Sequence, residues 1–149
     1  MSRIPSTEMS AEERDEFLGN GGTGVLSLAT DGEESPHTVP VSYGYDASEA
    51  TFYFRLAVGP DTAKGSPADR PVSFVTYGQE GGRWRSVVAR GRLEATTEEP
   101  IETRTLRGLD RVHIPLFDVF DEHPRTVPFE FYRLVPKELT GRKETSTGD

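Results

Sequence analysis

"PHTVPVSYGYD", residues 36–46, is the stretch whose reading decides the fold. Successive side chains of a strand point to opposite faces. Val39, Val41, Tyr43 and Tyr45 therefore share a bulky apolar face, and Thr38, Pro40, Ser42 and Gly44 share a small, weakly polar one. A flat object can lie close to the backbone on that second face. Pro40 is the difficulty, because proline donates no backbone hydrogen bond and is normally kept out of sheet interiors.

Working outward, the same alternation recurs. "GVLSLATD" (24–31) reads as a compact apolar strand closed by an Asp31-Gly32 turn, and "TFYFRLA" (51–57) as a third strand with Phe52, Phe54 and Leu56 on one face. "PVSFVTYG" (71–78) is a fourth strand, followed by a Gln79–Gly82 hairpin loop. "RWRSVVARGRLEA" (83–95) is a long fifth strand, with Val87, Ala89, Gly91, Leu93 and Ala95 inward and Trp84, Ser86, Arg90, Arg92 and Glu94 outward. "VPFEFYRLVPKEL" (127–139) reads as a sixth.

Two helices complete the pattern. Ser10 followed by Glu13 makes a capping box, and Gly19-Asn20-Gly21-Gly22 stops that helix. A second helix is read over 96–111, where Thr97 can cap and Pro100 sits early. Short strands with turn signals between them predict a mainly β, antiparallel barrel or sandwich of about six strands with two short helices, between frayed residues 1–7 and a polar C-terminal tail.

Composition narrows the chemistry. The 149 residues hold no cysteine, so disulfides, thiolate metal sites and cysteine nucleophiles are excluded. Twenty-five acidic against 17 basic residues give a net charge of -8, which argues against a nucleic-acid partner. Only Lys64, Lys137 and Lys143 are lysines, and this acidic, lysine-poor bias predicts a salt-adapted source. No apolar run approaches membrane-spanning length, and the N-terminus lacks the apolar core of a secretion signal, so the cytoplasm is expected.

The order of "GTGVLSLATDGEESPHTVPVSYGYD", "FYFRLAVG…K", "PVSFVTYG", "WRSVVARGRLE" and "FYRLVPKELTGRK" resembles the pyridoxamine 5'-phosphate oxidase-like, FMN-binding split-barrel family, in its nitroimidazole-resistance-like branch. The resemblance covers residues 8–143, leaving flexible tails at 1–7 and 144–149, and implies a six-stranded antiparallel split β-barrel with short flanking helices. It also implies a homodimer with FMN in two clefts between subunits, acting on a small-molecule substrate. It implies that Val39, Pro40, Val41 and Ser42 line the flavin ring, partly through backbone atoms. It also implies that Phe54, Arg55, Leu56 and Ala57, with Lys64 after them, hold the ribityl phosphate. Trp84 and Ser86 would approach the ring from the partner subunit.

The true oxidases carry an Arg-Lys pair in the phosphate loop. Here Ala63 precedes Lys64, so one charge is missing unless Arg55 or Arg70 replaces it, and the oxidases' substrate-phosphate residues have no counterpart. The resemblance therefore carries over the flavin site and not vitamin oxidation. No catalytic acid or base is assigned.

Each candidate has a plainer reading beside the functional one. Lys64 suits a phosphate as a point charge, or is a solvated surface lysine. Arg55 in an aromatic strand serves a ligand, or a salt bridge. Trp84 stacks on a ring, or packs in a core or dimer contact. His37 donates to a flavin or substrate oxygen, or is a partly exposed strand-start histidine. His113, Asp118, Asp121, Glu122 and His123 lack a recognisable ligand spacing, so no metal is expected. A deazaflavin reductase and a non-catalytic flavin- or haem-binding module are the alternatives.

Overall fold

The structure is a computed structural model that describes residues 5–30, 32, 35–57, 69–96 and 129–145. Its strands, in chain order, are β1 (Ser6–Glu8), β2 (Gly21–Leu28), β3 (His37–Asp46), β4 (Thr51–Ala57), β5 (Pro71–Glu80), β6 (Arg83–Ala95), β7 (Phe129–Leu134) and β8 (Glu138–Glu144), with helix α1 (Ala11–Leu18) after β1. They form one 8-stranded sheet in the order β1-β8-β6-β5-β2-β3-β4-β7, and β6 also pairs with β7. That extra ladder closes β6, β5, β2, β3, β4 and β7 into a six-stranded antiparallel barrel, with β8 and β1 added outside the ring. The helix expected over 96–111 and the acidic, histidine-bearing stretch after it lie almost wholly outside the described residues, although Thr96 is described as a bend.

Alternation builds the barrel's interior. Leu26, Leu28, Val41, Tyr43, Tyr45, Phe52, Phe54, Phe74, Val87, Ala89 and Leu93 are all buried in one cluster. Four rings surround Phe52, with centroids 4.8 Å away for Tyr45, 5.3 Å for Phe74, 6.0 Å for Tyr43 and 6.3 Å for Phe54. Three of these pairs are tilted and the Phe54 pair is stacked, and such ring contacts add to the area they bury. Gly24 leaves room for this packing, since a Cβ there would lie 2.6 Å from the Phe74 ring and from the Val75 carbonyl oxygen. Gly24→Ala is expected to cost about 1–3 kcal/mol by overpacking, read as a lower urea midpoint. An unchanged midpoint would show that the ring has space to move.

The ends of the elements follow local chemistry. Ser10 caps α1: the Glu13 amide donates to Ser10 Oγ at 3.1 Å, and the Ser10 amide donates to Glu13 Oε1 at 3.2 Å. Gly19 stops the helix at φ 60°, while Gly21 and Gly22, read as part of that stop, already belong to β2. The β5–β6 turn narrows to Gly81 and Gly82, at φ 60° and 78°, the signature of a tight two-residue hairpin.

Tyr45 joins helix to barrel by donating to Asp15 Oδ1 at 2.7 Å. Burial first, and then the Asp15 carboxylate, push this phenol well above its ordinary value of 10.0. A folded-state value raised in this way contributes stability that is complete below pH 10 and declines as the pH rises further.

Two expectations change. Residues 6 and 7 are not part of a loose tail: Ser6 pairs with Glu144 and Thr7 with Lys143. The strand read over 127–139 is two strands. Leu93 pairs with Leu134 and Arg90 with Glu138, so three steps along β6 match four along the return chain. The extra residue is taken up at Val135–Lys137, where Pro136 supplies no donor and the Lys137 amide donates to the Arg90 carbonyl at 2.8 Å.

Candidate functional site

Pro40 stands opposite Val25 of β2. On the other side of β3, pairing with β4 begins only at Ser42, opposite Arg55. Residues 37–41 therefore form an edge among the described residues, the setting in which a strand tolerates proline. Leu56 and Ala57 pair with Glu130 and Phe129 of β7 and not with β3. The barrel wall thus parts between the first half of β3 and the end of β4.

Cross-strand partners share a face of a sheet. On the outer face, Pro40, Val25, Val75, Val88 and Thr140 stand in one row across β3, β2, β5, β6 and β8. Next to it, Arg55, Ser42 and Thr23 make a second row beside the split. Trp84 and Ser86 lie on this same outer face of β6, with Tyr77 opposite Ser86. Tyr77 is 63% exposed and Trp84 42%, with their ring centroids 6.0 Å apart. The row from Pro40 to Thr140 carries no large side chain, and two exposed aromatic rings stand on the same face.

Ser42 is the anomaly on this face. It is only 4% exposed, and its hydroxyl has no hydrogen-bond partner. A buried polar atom left unpaired is costly, and such atoms cluster where a ligand completes the site. Arg55, directly across from it, is half-buried and is engaged in an interaction of its own.

The expected site residues divide by face. Pro40, Ser42, Arg55, Trp84 and Ser86 share the outer face. Val41 and Phe54 are buried in the core, and Val39 and Leu56 pack against it, so these four meet the outer side only through backbone. Ala57 ends β4 beside the split. Lys64 lies outside the described residues. His37 is half-buried at the start of β3. Sequence reading passed over Thr23, Val25, Val75, Tyr77 and Val88; their alternation with Leu26, Phe74 and Val87 was the available signal. No group of three metal-ligating side chains occurs among the described residues, and no described helix is long and apolar enough to cross a membrane.

The sequence profile of the pyridoxamine 5'-phosphate oxidase family matches residues 10–143. The chain belongs to that family. A search of the curated proteins found no match. Among solved structures, an FAD-binding protein of Mycobacterium smegmatis aligns over 93% of this chain and 98% of its own at 21% identity and a TM-score of 0.66. An FAD-binding protein of Mesorhizobium loti aligns over 95% and 98% at 22% identity and a TM-score of 0.63. A Bacteroides thetaiotaomicron protein whose name links it to 5-nitroimidazole antibiotic resistance aligns over 95% and 89% at 18% identity and a TM-score of 0.54. Proteins that share this fold thus include ones named for flavin binding and for nitroimidazole resistance.

Proposed function

We propose that this family member is a homodimeric flavoprotein that holds FMN beside the split in its barrel and uses it in oxidoreduction of a small molecule. The observation that carries the reading is the buried, unpartnered Ser42 hydroxyl next to the edge of β3 that no described strand pairs with. A flavin ring presents acceptors and donors along one edge and an apolar plane, which matches one hydroxyl, a strand edge unpaired among the described residues and a face of small residues. Bound flavin supplies hydride or electron transfer, and the protein supplies its orientation and a dry surface.

Ser42, and the backbone of Val39 and Val41 at the free edge, would hold the ring. Arg55 and Lys64 would neutralise the phosphate. Trp84 and Ser86 would reach the neighbouring subunit's flavin across an interface built on the outer face. An interface with such an apolar row buries roughly 2,000 Å² or more. FAD is the second reading, favoured by the names of two structural neighbours.

Ser42→Ala tests the site with two opposed signs. Flavin affinity is expected to fall about 2- to 10-fold, the worth of one neutral hydrogen bond. Stability of the flavin-free protein should hold or rise, because an unpaired buried hydroxyl is removed. Lower stability with unchanged flavin affinity would make Ser42 a structural residue and remove the support for this reading.

A further inference from the structure

Away from the outer face, the barrel end beneath the β5–β6 hairpin collects cations. Arg83, Arg85 and Lys143 line an open cavity of about 260 Å³ together with Glu144 and Thr145. Strand register produces the convergence: Arg85 stands opposite Lys143, on the face that carries Val87 into the core. Beyond Val87 on this face of β6 come Arg85 and then Arg83.

Arg85 is poorly satisfied there. Its Nε is shielded from solvent and has no hydrogen-bond partner. Glu80 Oε2 lies 3.1 Å from that nitrogen, close enough for charge attraction but out of line for a hydrogen bond. Arg85 Nη1 faces the Met9 sulfur at 3.8 Å, a weak acceptor. A guanidinium carries five donors in a fork that fits two oxygens of one anionic group. Arg83 makes no ion pair among the described residues. Lys143 donates to Glu13, and Glu144 is occupied in accepting from the Trp84 amide at 3.0 Å.

We infer that this cavity binds a phosphate-bearing anion, whose oxygens take the Arg85 fork in place of Glu80 and draw on Arg83 and Lys143. Three carboxylates, Glu13, Glu80 and Glu144, stand around the same cations, so a monoanion gains little by exchange. A phosphate brings nearly two charges and three strong acceptors, and outcompetes them. The phosphate belongs either to a free phosphorylated compound or to the tail of a flavin. The cavity does not depend on the flavin reading, because the Arg85 donors are left open in the protein by itself.

The 149-residue chain contains a single tryptophan, Trp84, and its amide is bonded to a residue of the cavity wall, so its fluorescence reports binding. Pyrophosphate titrated at fixed ionic strength is expected to give a saturable change that matched chloride does not. Arg85→Gln should weaken it about 10- to 150-fold, the worth of a charge-assisted hydrogen bond. Glu80→Gln, at an exposed site that leaves folding intact, should tighten it by removing the competitor.

Parallel titrations of riboflavin, FMN and FAD separate the two sources. If Arg85→Gln weakens FMN or FAD and spares riboflavin, the phosphate is the flavin's own. If it weakens pyrophosphate and spares all three flavins, the ligand is separate and the flavin proposal is untouched. The inference is overturned if wild-type protein shows no saturable pyrophosphate response and Arg85→Gln changes no flavin affinity. It is equally overturned if pyrophosphate binds but neither substitution alters its affinity.

Discussion

Phe52→Ala is expected to destabilise the flavin-free protein by about 3–5 kcal/mol, the range for deleting a fully buried ring. Phe52 has no exposed surface and meets Tyr43, Tyr45, Phe54 and Phe74. These neighbours come from β3, β4 and β5, so the ring joins three walls of the barrel. Such a loss is a large fraction of the roughly 5–15 kcal/mol that holds a typical domain together. The measurement is urea unfolding at fixed protein concentration, since flavin or a partner subunit would add its own stabilisation. The midpoint should fall with the slope unchanged. A loss below about 1 kcal/mol would mean that the barrel collapses around the gap.

Lys64→Ala carries the largest expected effect on binding at the proposed flavin site. The sequence that follows β4 is rich in Gly, Pro and Ser, and the residue before Lys64 is Ala63, so Lys64 stands without the arginine that the true oxidases place there. Losing one charge-assisted bond to a phosphate costs about 1.5–3 kcal/mol. FMN affinity should therefore drop about 10- to 150-fold while riboflavin affinity is unchanged. The titrations belong at one salt concentration, because salt screens exposed charge. Equal loss for both ligands would assign Lys64 a structural role and pass the phosphate to Arg55, which stands across from Ser42. An effect at Arg85 and none at Lys64 would place it in the cavity beneath the hairpin instead.

Much of the barrel was legible because alternation and turn chemistry agree. The strand over 51–57 and the strand over 83–95 have the same bounds in sequence and structure. The capping box at Ser10 and Glu13 formed as its spacing implies. β1 was not legible: three exposed residues carry no pattern, and their order comes from pairing with β8, more than 130 positions away. The break at Pro136 was missed because a proline also fits the edge of one continuous strand. Its cause is the one-residue mismatch against β6, which only tertiary register reveals.

The site was legible in part. The small face of residues 38–44 was visible at once, and it is the face on which Ser42 waits unpartnered. Val39 and Val41 alternate with that face, and their side chains accordingly point toward the core. A family resemblance indicates which stretch of chain nears a cofactor, whereas the strand period decides which atoms face it. Tyr77 and the row from Pro40 to Thr140 emerge only when five strands are set in register. The Arg85 cavity has the same origin, since Lys143 is distant in sequence from Arg83 and Arg85 and meets them only where β6 pairs with β8.

The most direct test of the central claim is the absorption spectrum of the purified protein, with the mass of the released chromophore and its mass in sedimentation. The account predicts a yellow dimer that releases FMN upon unfolding. FAD in its place would keep the flavin site and correct its ligand. A deazaflavin chromophore, a Soret band without flavin, or a colourless protein that takes up neither FMN nor FAD when they are supplied in excess would contradict it.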